Sequence, residues 1–169
     1  GDADARTVLR RLSFLLTGLP PRAEETELFL REWETMPQAR CVERAVDRLM
    51  ASPRFGERFA RHWLDLVRYA DTHGSEGDPE IPEAWRYRDY LVRAFNEDVP
   101  LDRLIAEHLA GDLLPEPRWN RAEGFNESMI GLTQFRLLEH GFQPVDTLDE
   151  QVKTVDNQID VVTKAFQGL

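Results

Sequence analysis

Between Arg61 and Asp89 the chain sets His62 and His73 among Asp65, Tyr69, Asp71, Glu76, Asp78 and Glu80. Imidazoles and carboxylates move protons near neutral pH and hold metal ions, so any chemistry is to be sought here first. His62, Asp65, Tyr69, Asp71 and His73 are the candidates for a catalytic set. Residues three, four and seven apart share a helix side, which would stack His62, Asp65 and Tyr69 along one boundary of a helix starting at Pro53. A histidine and a carboxylate at that spacing can ligate one metal ion, although two ligands do not make a site. The same residues also have a purely structural reading. Arg61 and Arg68 flank Asp65 at helical spacing and compensate its charge, while His62 and Tyr69 suit a core boundary where the ring is buried and the polar tip is bonded. Asp71 stands where helix meets loop, the unfavourable end for a negative charge. Arg86, Arg88 or a cation is needed to offset it.

The loop from Asp71 to Pro82 carries hard oxygen donors among glycines, and Asp71, Glu76, Asp78 and Glu80 are candidate calcium ligands. The EF-hand register fails, because Glu76 falls where the turn glycine belongs and Pro82 where the last glutamate belongs. There is no nucleophile elbow, no H-E-x-x-H pair and no phosphate-cradling glycine loop. Cys41 is the only cysteine, which excludes an internal disulfide and any Cys-rich metal site, and its place in an apolar stripe makes it a core residue. His108 shares a helix side with Leu101, Leu104 and Ile105 and reads as a satisfied core histidine. His140, just before Gly141, suits a helix end. A net charge of −10 repels phosphate backbones and argues against nucleic acid as a partner. No apolar run is long enough to span a membrane.

The elements that must position these residues are helical throughout. Apolar residues recur at helical spacing between Gly and Pro breaks, predicting an all-α fold, an irregular bundle of about seven helices. The acidic Gly/Pro loop lies between the central helices, and residues 1–169 form one domain that reads as a piece of a longer protein. Asp4 caps a first helix through Leu16; the next carries Leu28, Phe29 and Trp33, and a third carries Cys41, Ala45 and Leu49. Ser52-Pro53 starts the central helix, expected to run to Ala70. Further helices pass through Trp85–Phe95 and Leu101–Ala110, the stretches GDLLPEP and RWNRAEG connect as turns, and Met129–Leu138 is again helical. Last comes a heptad seam, Leu148, Val152, Val155, Ile159, Val162 and Phe166, expected to dock within the bundle; pairing of two chains through residues 148–166 is the alternative.

Three blocks, RRLSFLLTGLPP, the long run from LMASPRFGERF to EHLAGDLLP, and LDEQVKTVDNQIDVVTKAFQGL, resemble the planctomycete cytochrome c-associated domain known as domain of unknown function 1549. The resemblance implies an exported bacterial protein with neighbouring domains, and a Cys-x-x-Cys-His haem-attachment segment following AFQGL. With Cys41 alone, these residues bind no haem covalently, and haem c or a metal would belong to the parent protein. His62 or His73 could then serve at most as an axial or outer group. Two functions follow. One is a non-catalytic scaffold positioning that Cys/His segment; the other is an enzyme domain, carbohydrate-active for example, with a His/Asp/Tyr cleft beside the acidic loop.

Overall fold

The structure, a computed structural model, describes residues 3–74, 77–137 and 146–168. Glu76 and His140 lie outside the described residues. The all-α expectation holds. Helices α1 (Ala5–Leu16), α2 (Ala23–Thr35), α3 (Gln38–Met50), α4 (Pro53–Leu66), α5 (Trp85–Asn96), α6 (Leu101–Ala110) and α7 (Thr147–Gln167) are joined by a two-strand hairpin and a 3-10 segment, Glu127–Arg136.

Two cores form. The first buries Leu9, Phe29, Cys41 and Ala45 between α1, α2 and α3. Asp4 starts α1 by accepting from Thr7 N at 2.9 Å, and Glu25 reaches back to Arg22 N at 2.8 Å to start α2. The buried Glu32 of α2 is clamped by Arg48, at 2.8 and 3.1 Å, and by Arg44 at 3.2 Å. Those arginines hold its carboxyl below the ordinary range despite burial. Burial raises the Cys41 thiol, which touches the Phe29 carbonyl and stays a small core group.

The second core joins α4, α5 and α6 around Ala60, Val67, Tyr87, Tyr90, Leu91, Ala94 and Leu104. Where α4 crosses α5, Gly56 leaves no room for a side chain, since a Cβ there would lie 2.4 Å from the Val92 carbonyl oxygen. Asn96 pins the crossing, accepting from Gly56 N at 2.8 Å and donating to the Pro53 carbonyl at 3.2 Å.

Three elements differ from the sequence reading. Helix α4 stops at Leu66 instead of Ala70. Tyr69 N bonds back to the Leu64 carbonyl at 2.9 Å and Arg68 N to that of Asp65 at 3.4 Å, a Schellman closure with Arg68 in the left-handed region at φ 56°. Glycine usually marks such an end, and its absence conceals this one. The stretch RWNRAEG is not a plain turn: Trp119–Asn120 pairs antiparallel with Phe125–Asn126 as β1 and β2. The third is the heptad seam on α7. Leu148, Val152, Val155 and Ile159 are each more than half exposed, while Val161 is buried. Of the seam, Phe166 at the far end packs on Trp63 as expected, but polar side chains hold the middle of the helix: Arg68 donates to Asn157 at 2.8 Å and pairs with Asp160, and Gln158 donates to the Phe135 carbonyl at 3.1 Å. A hydrophobic repeat cannot register a face held that way.

Candidate functional site

The early end of α4 decides where the candidate residues fall. His62 is exposed on α4, edge-on to Phe59 at 6.1 Å between ring centres. Asp65 and Tyr69 line a groove between α4 and α5 of about 760 Å³, together with Arg61, Arg88, Asp89 and Arg93. His73 instead faces a separate recess of about 240 Å³ beside Arg68 and Asn157. Asp71 receives the Tyr69 hydroxyl at 2.6 Å. So Asp65 and Tyr69 share the groove and Tyr69 reaches Asp71, while His62, on Asp65's side of α4, is not part of the groove lining and His73 lines the other recess.

The groove's charges are mostly paired. Arg88 meets Asp89 at 3.1 Å, Glu57 meets Arg54 at 2.8 Å, and Arg93 meets Glu127. Arg61 and Arg68 do not compensate Asp65; Arg68 has turned to α7, and among the described residues Asp65 and Arg61 have no ion-pair partner. Nor do Arg86 or Arg88 bind Asp71, since Arg86 pairs with Glu83. Burial, and then the bond to Asp71, push the Tyr69 phenol well above its ordinary range, so it can donate a hydrogen bond but not act as a base. On the acidic loop, Asp78 accepts from Gly74 N at 2.9 Å and Thr72 bridges Glu80. Among the described residues no three His, Cys, Asp or Glu side chains are grouped to hold a metal ion.

The densest polar constellation is elsewhere, around two adjacent residues of α6. His108 is fully buried, as its place on an apolar face implies. Its Nδ1 lies 2.7 Å from the Leu104 carbonyl, which makes Nδ1 the protonated nitrogen and leaves the Nε2 lone pair as acceptor. That lone pair takes two donors, the Tyr87 hydroxyl at 2.8 Å and the Trp63 indole N–H at 3.1 Å. Burial lowers the His108 pKa to about 4, so the ring is neutral at physiological pH.

Glu107 is buried just as completely and fully bonded. It accepts from Arg118 at 2.8 and 3.0 Å, from the hydroxyls of Tyr90 and Ser128 at 2.8 Å each, and from Arg103 at 3.2 Å. Burial alone would raise its pKa; the bonds from Arg118, Tyr90 and Ser128 outweigh this and hold it down to about 2. Gly111 permits the close packing of α6 on the 3-10 segment, since a Cβ there would lie 2.0 Å from the Ser128 carbonyl oxygen. Helix α7 closes the cluster through Phe166, 5.9 Å from Trp63 and 6.1 Å from His108 between ring centres.

Sequence reasoning found His108 but not Glu107 or its partners. One trace was available: Glu107 follows Leu104 by three residues on the apolar side of α6, with Arg103 one turn earlier. The arrangement can orient and rigidify; it has no open face on which a substrate could meet His108 or Glu107.

A family model described as PSCyt2, protein of unknown function (DUF1549), matches residues 1–169. No curated protein and no solved structure matches the chain.

Proposed function

We propose, from the premise that the chain belongs to the PSCyt2 family of unknown function (DUF1549), that it is a non-catalytic scaffold module. It would hold neighbouring domains of its parent protein and position a Cys/His redox or metal-binding segment that follows α7. One observation carries this reading: the buried polar groups, Glu107 and His108, are consumed in closed bonding, and the linings of the α4–α5 groove and of the His73 recess have no residue in common. The anchoring of α7 by Arg68 and Phe166 supports it, because the direction of the chain leaving that helix is then tied to the core. The exported, cytochrome-associated setting rests on the resemblance of the sequence blocks.

The test uses the natural full-length protein, matured in a host that exports proteins and attaches haem. A haem absorbance or bound metal that is lost or shifted when Phe166→Ala loosens α7 supports the proposal; neither haem nor metal in the mature protein refutes it. An enzyme domain is the second reading, favoured by the unpaired Asp65 and Arg61 in the α4–α5 groove. An activity abolished by Asp65→Asn at unchanged melting temperature would establish it.

A further inference from the structure

At the entry to β1 two consecutive residues do different things. Arg118 turns inward to the buried Glu107, and Trp119, on the opposite face, is 59 % exposed. With one face free, the indole offers a flat apolar surface to solvent. It is also held rigidly. Arg118 N donates to Ser128 Oγ at 2.8 Å, Glu127 N to the Arg118 carbonyl at 2.8 Å, and Trp119 pairs in register with Asn126. The hairpin turn is fixed by Asn120 Oδ1, which accepts from Ala122 N and Glu123 N at 3.1 Å each. Trp119 therefore stands on the same framework as the Glu107 cluster, beside a depression of about 680 Å³.

The polar lining selects the ligand class. Arg93, Arg118 and Arg121 face Glu97, Glu123 and Glu127 in this depression, so the site is close to neutral. Arg118 is spent on Glu107 and Glu97, and Arg93 uses only its Nε on Glu127, leaving its two terminal nitrogens as donors. Exposed Glu97 and Glu123 supply acceptors. With a chain charge of −10 as well, a polyanion is disfavoured. A ligand is called for that is uncharged, rich in hydroxyls, and apolar on one flat face.

We propose that Trp119 and the arginine–glutamate rim beside it form a binding site for a neutral β-linked pyranose chain. The sugar's axial C–H bonds would lie on the negative face of the indole, and vicinal hydroxyls would bond to the Arg93 fork and to Glu97 or Glu123. The site shares Arg93 with the end of the α4–α5 groove but none of that groove's other lining residues, and the proposal does not depend on the scaffold reading.

Native affinity electrophoresis of the chain through gels containing hydroxyethyl cellulose, xylan or galactomannan, with dextran sulfate as the polyanion, tests it. Retardation by at least one of the neutral polymers is expected, weakened roughly tenfold in dissociation constant by Trp119→Ala and less by Trp119→Phe. Trp85→Ala, which removes an exposed indole already covered by Arg86, should leave it unchanged. Circular dichroism of each variant verifies its fold. The proposal is overturned if no neutral polymer retards the chain, if only dextran sulfate does, or if Trp119→Ala is retarded as strongly as the wild type.

Discussion

Acidification from about pH 7 to about pH 5 should destabilise the fold by about 2 kcal/mol, nearly all of it through His108. The folded ring spends its Nδ1 proton on Leu104 and offers Nε2 to two donors. A proton on Nε2 would turn the acceptor into a third donor, facing the Tyr87 hydroxyl and the Trp63 N–H in a buried site. Burial accordingly depresses its pKa from 6.5 to about 4. The unfolded chain takes up the proton near its ordinary value, so between those two values it binds more protons than the folded chain. Stability is complete above the unfolded pKa and falls as pH drops toward the folded one. At about 1.4 kcal/mol per unit, linkage over this window gives the stated loss. Glu107 adds little there, because a carboxyl lowered from 4.5 to about 2 loses its contribution only as pH falls below the unfolded value. Urea unfolding at both pH values, followed by tryptophan fluorescence, measures the difference in the wild type and in His108→Gln. A flat wild-type response, or an equal slope in the variant, would refute the reasoning. Nitrogen chemical shifts offer an independent check: His108 should be the neutral Nδ1–H form at both pH values.

Replacing Glu107 with Gln leaves the Arg118 guanidinium beside a neutral group and should cost roughly 3–5 kcal/mol by urea unfolding, whereas Glu97→Gln, at the exposed end of the same arginine, should cost under about 1 kcal/mol. Equal losses would mean that Glu107 is not the anchor. Gly56→Ala should destabilise by about 1–3 kcal/mol in thermal melts, because its Cβ would meet backbone of α5 that cannot step aside. On α7, Val155→Gln should change stability by less than about 0.5 kcal/mol and Val161→Ala by about 2 kcal/mol. The reverse order would place the heptad face inside the fold after all.

The helices were legible in the sequence because their boundaries are written in side chains with one local job. Asp4 and Ser52 cap, Pro37 and Pro100 precede helices, and the apolar residues of α3 and α5 return at helical spacing. The end of α4 was not legible, since Arg68 occupies a left-handed position that glycine usually advertises. Only tertiary context repays that strain: Arg68 gains Asn157 and Asp160, residues distant along the chain. The α7 register failed for a related reason. Beside the buried Val161 and the seam residue Phe166, its docking face is carried by Asn157, Gln158 and Asp160, which a hydrophobic period counts as solvent-facing.

The same physics separates the acidic stretch from the cluster on α6. The density of charge from Arg61 to Asp89 drew attention because it is contiguous in sequence. Contiguous charges on a helix and its following loop can be satisfied locally or by water, as Asp71 is by Tyr69 and Asp78 by Gly74, and they need not build anything together. Glu107 cannot be satisfied that way. Once buried it must collect donors from several elements, here Arg103 of its own helix, Tyr90 of α5, Arg118 at the hairpin and Ser128 of the 3-10 segment. A single acid on an apolar helix side therefore orders more of this fold than the charge-rich stretch does. It also ties Trp119, one residue beyond Arg118, to the buried cluster, where a ligand would meet a platform already in place.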